Sequence, residues 1–170
     1  YYGETAVDIE QSLQAAIQQA NKTILTHPTA SLTTIVCAVV RGSQLYIAHV
    51  GDSRAYLMQD GQLSRLTKDH TRVQQLIDEH VLTETEAQAS PERNLILRSL
   101  GFQAEVDIEL HQFCVATGDV LLLCSDGLHG ELDDEEITAV LQENVTRVAT
   151  RATGSGVEET VVTLVRQAKE

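Results

Sequence analysis

The feature that most constrains the fold is an apolar run that ends on a lone carboxylate followed by glycine. It extends from Val120 to Gly127 and reads VLLLCSDG. An apolar run of this length, bounded by turn residues, is typical of a buried strand. Asp126 then lies where the strand leaves the core, and Gly127 lets a ligand approach the backbone closely. Carboxylates at the rim of a rigid sheet commonly hold hard divalent cations, so the run predicts a metal ligand at Asp126.

A second predicted strand ends in the same way. The stretch from His49 to Tyr56 reads HVGDSRAY, and its strand breaks at Gly51 and Asp52. Two strand ends that each carry an aspartate beside a glycine predict a metal site between sheets, with Asp52 as the second candidate ligand.

Length and charge limit the classes of function. The chain has 170 residues, of which 42% are hydrophobic, so we expect a single globular domain over residues 1–170 with a substantial core. The formal net charge of −13 leaves no basic footprint and argues against nucleic acid or an anionic membrane as a partner. It is compatible with the binding of divalent cations, although most of the carboxylates are expected to be solvated surface groups.

The three cysteines are interpreted as buried structural thiols. Cys37, Cys114 and Cys124 all lie in apolar, strand-like runs, their number is odd, and no CxxC spacing occurs. This usage predicts a reducing, cytoplasmic location. No signal peptide is recognisable, and no apolar run approaches the ~20 residues that a membrane span needs.

The periodicity predicts an α+β fold. Apolar residues at helical spacing predict a helix from Ile9 until Pro28 ends it. An antiparallel meander and a small helical insert from Asp69 to Pro91 follow, and then a hairpin. The predicted strands are residues 32–40, 44–50, 53–59, 62–67, 106–114 and 120–124.

The C-terminal region has one clear helix and one ambiguous segment. Asp133 and Glu136 cap a predicted helix that runs to about Gln142. The stretch 144–156 is predicted to be irregular. The tail that contains ETVVTLV has β-like propensity, but a capping box at Ser155 and the helical period favour a helix over a strand.

Four motifs in order resemble a known family. VGDSRAY, LTKDHTRV, LRSLG and LLLCSDGL resemble the metal-dependent serine/threonine protein phosphatases of the PP2C (PPM) family, bacterial type. Residues 3–6, GETA, resemble the end of that family's DGxGGHxxGExA motif, and ELDDEEI follows SDGL as it commonly does. The resemblance extends over essentially the whole chain.

The resemblance implies a fold and an activity. The implied fold is an antiparallel β-sandwich flanked by helices, in α/β/β/α layers, and we expect it to be incomplete at both ends here. The implied reaction is metal-dependent hydrolysis of phosphoserine and phosphothreonine in proteins. The implied cofactors are two core Mg²⁺ or Mn²⁺ ions, with a third, weaker ion. A metal-bound water attacks phosphorus, so no protein side chain is expected to be the catalytic nucleophile.

The resemblance also assigns roles to residues. Asp126 matches a ligand of a core metal, with the Gly127 backbone beside it, and Asp52 matches a ligand of the third metal. Arg54, Asp69 and His70 are interpreted as structural supports. Residues from about 73 to 91 match the flap beside the active site, which is tied to substrate choice; its candidate residues are Val73, Leu76, Ile77 and His80.

Other motifs of the family are absent from the sequence. These are an arginine followed by an Asn-Glu-Asp run, the DGxGG segment and the closing Asp-Asn motif. We therefore expect this chain alone to lack a complete dinuclear site and not to hydrolyse phosphomonoesters. Three hypotheses remain open: the middle of an active phosphatase that has lost both ends, an inactive PP2C-like module that binds a protein partner or phosphopeptide, and an unrelated α+β domain.

The resemblance also implies partners, and the sequence allows an interpretation of the remaining histidines and of Arg98. The implied partners are a phosphorylated protein substrate and a cognate serine/threonine kinase or regulatory protein. His49 and His111 fall in strand patterns and are interpreted as hydrogen-bonded sheet residues rather than ligands. His80 occupies a position that suits a helix-ending glycine, which predicts either a left-handed residue or a differently shaped flap. Arg98 is expected to pair with a nearby acid rather than a phosphate.

Overall fold

The computed structural model describes the backbone of residues 8–29, 31–150 and 155–169 and the side chains of residues 8–29, 31–143 and 157–169. The GETA segment lies outside the described residues. The helices are α1 (Ile9–Thr26), α2 (Arg72–Asp78), α3 (Glu84–Gln88), α4 (Asp126–His129), α5 (Asp134–Thr150) and α6 (Ser155–Gln167). The strands are β1 (Ile35–Arg41), β2 (Gln44–Val50), β3 (Arg54–Gln59), β4 (Gln62–Arg65), β5 (Glu109–Cys114) and β6 (Val120–Cys124).

The strands form two three-stranded antiparallel sheets, which confirms the predicted α+β class. The first sheet has the order β1-β2-β5 and the second the order β4-β3-β6. Residue contacts divide the chain into two compact units with one sheet each. The first unit comprises the chain up to Ser53 together with Lys68–Val115, and the second comprises Arg54–Thr67 and the chain from Ala116 onward. The sandwich packing and the single domain stay predictions.

The predicted meander and the predicted β5-β6 hairpin are wrong. Strand β2 pairs with β1 and β5, whereas β3 pairs with β4 and β6, so the chain changes sheets between Val50 and Arg54. Gly51, at φ +109°, makes this exit possible because side-chain-bearing residues rarely adopt that conformation. A strand that stays in a sheet and one that leaves it have the same local hydrophobic pattern, so the sequence does not distinguish them.

The two tight hairpins were predicted correctly. Strands β1 and β2 pair from Ile35 opposite Val50 to Arg41 opposite Gln44. Strands β3 and β4 are joined by Asp60 and Gly61, whose φ angles of +50° and +78° are the positive values that a type I′ turn requires. This turn matches the right-handed twist of the strands it joins, which is why an Asp-Gly pair predicts a hairpin.

Helix α1 covers the first sheet. Its Ile17 belongs to a buried cluster with Ala48 and Val50 of β2. One turn later Asn21 is fully buried. Its Nδ2 donates to the carbonyl oxygens of Gln103 (2.8 Å) and Ala104 (3.3 Å), and its Oδ1 accepts from the Gly101 N–H (2.7 Å). These bonds satisfy the buried amide and fix the loop before β5 to the helix.

The second unit has its own core between its sheet and the C-terminal helices. Met58 of β3 packs with Ile137 and Leu141 of α5 and Leu164 of α6. The helical reading of the tail is confirmed by α6. The prediction that residues 144–156 are irregular is wrong for the first half of this stretch, because α5 continues to Thr150. Polar composition alone does not end a helix when neither glycine nor proline interrupts it.

Within the described residues, no helix combines the length and apolar character needed to cross a bilayer.

Candidate functional site

Asp126 occupies a junction between a strand and a helix in the second unit. Strand β6 ends at Cys124, Ser125 is extended (φ −94°, ψ 178°), and Asp126 is the first residue of α4. The Gly130 N–H donates to the Asp126 carbonyl oxygen (2.8 Å) and closes the helical turn. Asp126 and Gly127 are both exposed. The carboxylate is therefore presented to solvent from a backbone that a strand and a helical turn hold on both sides.

Asp52 occupies a more enclosed position in the first unit. It is half-buried and lies between two residues that are held by specific contacts. On one side, the Gly51 N–H donates to His70 Nδ1 (3.1 Å), and the Gly51 carbonyl accepts from the His70 N–H (2.9 Å). On the other side, Ser53 Oγ lies 2.8 Å from Thr34 Oγ1. The backbone that carries Asp52 is thus fixed before any ligand arrives.

The arginine of the VGDSRAY motif has a structural contact in the second unit. Arg54 Nη1 donates to the Tyr56 hydroxyl (2.9 Å). Burial raises the pKa of Tyr56 to about 12, even though the nearby Arg54 charge acts to lower it. The hydroxyl thus stays neutral and accepts from the guanidinium, in keeping with the supporting role that the sequence indicated for Arg54.

The flap region contains α2 and α3 and belongs to the first unit. Val73, Leu76 and Ile77 are half-buried, whereas His80 is exposed. Helix α3 begins with the predicted capping box. Thr83 Oγ1 accepts from the Glu86 N–H, and Glu86 Oε2 accepts from the Thr83 N–H.

Of the two alternatives that the sequence left open for His80, the structure has the left-handed conformation, with φ +56°. Left-handed backbone costs a residue with a side chain about 1–2 kcal/mol, and glycine avoids this cost but loses more entropy on folding. We therefore expect His80→Gly to raise the free energy of unfolding by about 0.5–1 kcal/mol. Urea denaturation measures this change. The control is Glu79→Gly, at φ −76°, where glycine should be destabilising; stabilisation by both variants or by neither would contradict the argument.

Arg98 and His49 both have the polar contacts that the sequence predicted. Arg98 Nη1 lies 3.1 Å from Asp107 Oδ2, so the predicted pairing with an acid is confirmed. His49 is fully buried in β2, and its Nε2 lies 2.9 Å from the Lys68 carbonyl oxygen, as expected for a hydrogen-bonded sheet residue. The sequence did not indicate that Glu109 of β5 lies beside His49 and His70.

Three comparisons identify relatives. Residues 4–79 match the family model of protein phosphatase 2C. The serine/threonine phosphatase stp of Listeria monocytogenes serotype 4b is 35% identical, over 94% of this chain and 68% of that protein. The crystal structure of the Mycobacterium tuberculosis serine/threonine phosphatase PstP/Ppp matches with a TM-score of 0.80 and 34% identity, over 96% of this chain and 68% of that one. A PstP catalytic domain in complex with two manganese ions matches with a TM-score of 0.76 and 32% identity, over 98% of this chain and 69% of that one.

The fold is of the α+β class, with antiparallel sheets and helices, and it matches that of the related phosphatase structures. The chain belongs to the protein phosphatase 2C family, which is metal-dependent. Membership confirms the resemblance carried by the four motifs, and the hypothesis of an unrelated α+β domain is wrong. Members of this family act on phosphorylated proteins.

Proposed function

We propose that this chain is part of the catalytic domain of a protein phosphatase that hydrolyses phosphoserine and phosphothreonine with Mg²⁺ or Mn²⁺. The observation that carries the proposal is the 35% identity to a serine/threonine phosphatase over 94% of the chain. In this chain, the VGDSRAY and CSDGL motifs both lie at the ends of strands. The manganese ions in the related PstP structure support the choice of metal.

We propose Asp126 as a ligand of a core cation and Asp52 as a ligand of a weaker third one. The donor chemistry fits, since carboxylate oxygens are the ligands that Mg²⁺ and Mn²⁺ prefer. Gly127 is exposed, and a Cβ at this position would meet its nearest atom, Ser125 Oγ, only at 3.6 Å. The backbone beside Asp126 is therefore open to approach. When bound, the cations supply positive charge that activates water and offsets charge on the phosphoryl oxygens.

Substrate choice is assigned to the flap. The residues concerned are Val73, Leu76, Ile77 and His80, of which only His80 is exposed. We propose that the three half-buried apolar residues hold α2 in place and that the surface around His80 contacts the phosphorylated protein.

A cognate serine/threonine kinase or a regulatory protein is the proposed partner. A cytoplasmic location is proposed from the three free cysteines, Cys37, Cys114 and Cys124.

The proposal is tested by metal-dependent turnover of the full-length protein. A phosphoserine peptide and a phosphothreonine peptide are incubated with the protein before and after dialysis against a chelator. We expect phosphate release that the chelator abolishes and that added Mn²⁺ or Mg²⁺ restores. Turnover that survives complete chelation would contradict the metal assignment. A folded protein with no turnover at any metal concentration would contradict the enzymatic assignment and favour a phosphopeptide-binding module.

A further inference from the structure

Strand register places acidic and imidazole side chains on one face of the first sheet. His49 of β2 lies directly opposite Glu109 of β5. His111 follows two residues later on β5, so its side chain lies on the same face as Glu109. Ala48 and Val50, the sequence neighbours of His49, belong to the core that contains Ile17 of α1. The three side chains therefore lie on the face opposite α1.

A loop adds a second buried imidazole. His70 lies in the loop between β4 and α2, and the Leu97 N–H donates to its carbonyl oxygen (2.7 Å). Its ring accepts from the Gly51 N–H through Nδ1, which leaves Nε2 directed elsewhere. The rings of His70 and His49 are stacked, with centroids 4.7 Å apart. Both rings thus bring Nε2 beside the same carboxylate of Glu109.

The contacts in this cluster are too long for good hydrogen bonds. Glu109 Oε2 lies 3.5 Å from His49 Nε2, 3.6 Å from His70 Nε2 and 3.5 Å from His111 Nε2. Hydrogen bonds of this type span about 2.7–3.2 Å. Glu109 Oε2 and His49 Nδ1 are both buried and have no hydrogen-bond partner. A cation bound by the carboxylate would account for Glu109 Oε2, whereas His49 Nδ1 would stay without a partner. Buried polar atoms without partners destabilise a fold, and such exceptions call for an explanation.

We propose that His49, His70 and Glu109 bind a divalent transition-metal ion of the zinc type. Each residue offers one ligand atom, and the three atoms lie within 4.8 Å of one another. Two imidazole nitrogens and one carboxylate oxygen are a donor set that suits Zn²⁺ rather than Mg²⁺. Bonds of about 2.0–2.2 Å in a tetrahedral arrangement separate neighbouring ligand atoms by about 3.3–3.5 Å. The observed contacts of Glu109 with His49 (3.5 Å) and His70 (3.6 Å) are close to this spacing.

The protonation states favour the site at neutral pH. Burial lowers the pKa of His70 to about 4, with the neighbouring His49 and Arg98 charges acting in the same direction. Burial also lowers the pKa of His49. Burial acts to raise the pKa of Glu109, but His49, His70 and His111 together outweigh it, so this pKa lies below its ordinary value. Neutral imidazoles and an ionised carboxylate are the forms that bind a metal. Because His70 Nδ1 accepts from the Gly51 N–H, the neutral ring carries its proton on Nε2, so metal binding through Nε2 moves this proton to Nδ1 and replaces the bond to Gly51.

Two neighbours modify the site. His49 Nε2 donates to the Lys68 carbonyl in the metal-free protein, so metal binding through this atom shifts the ring proton to Nδ1. Arg98 Nη1 lies 3.4 Å from His70 Nε2, and its charge opposes a bound cation. That charge is partly offset by Asp107, 3.1 Å from the same guanidinium nitrogen. His111 is 44% exposed and acts as a positioning residue through Glu109.

The test is a titration of the purified full-length protein with Zn²⁺ in excess Mg²⁺. The Mg²⁺ occupies sites built from oxygen ligands, which separates this inference from the proposed phosphatase metals. Calorimetry gives stoichiometry and affinity, and Co²⁺ absorption reports nitrogen ligation. The variants are Glu109→Gln, which keeps the side-chain shape, and His70→Gln. The matched control is His27→Gln, because His27 is exposed and its Nδ1 contacts Thr29 rather than the cluster.

We expect one Zn²⁺ to bind the wild-type protein and the His27→Gln variant with equal affinity. Both cluster variants should bind at least about tenfold more weakly, since removing even an outer-shell partner of a metal costs 10–100-fold. His111→Gln should weaken binding less, because it affects only the position of Glu109. Absence of Zn²⁺ binding in the wild type would overturn the proposal. Unchanged affinity in a folded Glu109→Gln variant, as judged by circular dichroism, would also overturn it.

Discussion

Asp126→Asn is expected to lower the turnover of a phosphothreonine peptide by about 100-fold or more in the full-length protein. Asparagine keeps the size of the side chain but removes the charge that we propose holds a divalent cation. Changes in residues that only support metal ligands already cost 10–100-fold, so loss of a ligand should cost at least as much. Since Asp126 is exposed, the fold should be unaffected. The measurement is the rate of phosphate release at saturating Mn²⁺, with circular dichroism to verify folding.

The matched control is Glu131→Gln, which removes an exposed carboxylate from the same unit shortly after α4. It should leave the rate within about twofold, because surface charges away from the reacting groups act weakly through solvent. The rate of phosphate release by Asp52→Asn should lie between the rates of these two variants. The loss should be larger at low metal concentration, because Asp52 is proposed to bind the weaker ion. Wild-type turnover by Asp126→Asn would show that this aspartate does not hold a core metal.

Local sequence patterns accurately predicted the strands that precede Asp126 and Asp52. Strand β6 spans Val120–Cys124 and β2 spans Gln44–Val50, as the apolar runs indicated. Each run is followed by a glycine and an aspartate, which are residues that commonly end strands: Gly51 and Asp52 after β2, and Asp126 and Gly127 after β6. The left-handed conformation of His80 was one of two alternatives that the sequence offered, because its position after α2 suits a helix-ending glycine. These features depend on residues that are close in sequence.

Long-range pairing was not predictable from the same patterns. The pairing of β2 with β5 joins residues that are distant in sequence, from His49 opposite Glu109 to Gln44 opposite Cys114. The local alternation of apolar residues contains no information about this partner or about the change of sheet after Val50. Glu109 illustrates the consequence. In the sequence it is one acid among 25, whereas the register places it opposite His49 and beside His70. A cluster of this kind becomes visible only once the strand register is known.

Gly51→Ala is expected to be strongly destabilising, because Gly51 combines an unusual backbone angle with a crowded environment. Its φ is +109°, and a Cβ built at this position would overlap Thr34 Cγ2 and lie 2.5 Å from Thr34 Cβ. The Cβ of Thr34 is bonded to its backbone and cannot turn away by rotation of the side chain. Backbone strain costs about 1–3 kcal/mol. Overpacking adds about 1–3 kcal/mol, so we expect a total loss of about 2–6 kcal/mol.

Gly118→Ala separates these two contributions. Gly118 has φ +105°, close to that of Gly51, but nothing lies within 4 Å of the position its Cβ would take. It should therefore show the backbone strain alone, and urea denaturation should find Gly51→Ala less stable than Gly118→Ala by about 1–3 kcal/mol. Equal losses would mean that Thr34 moves aside without cost. A larger loss at Gly51 would instead show that the contact with Thr34 fixes the point where the chain leaves the first sheet, immediately before Asp52.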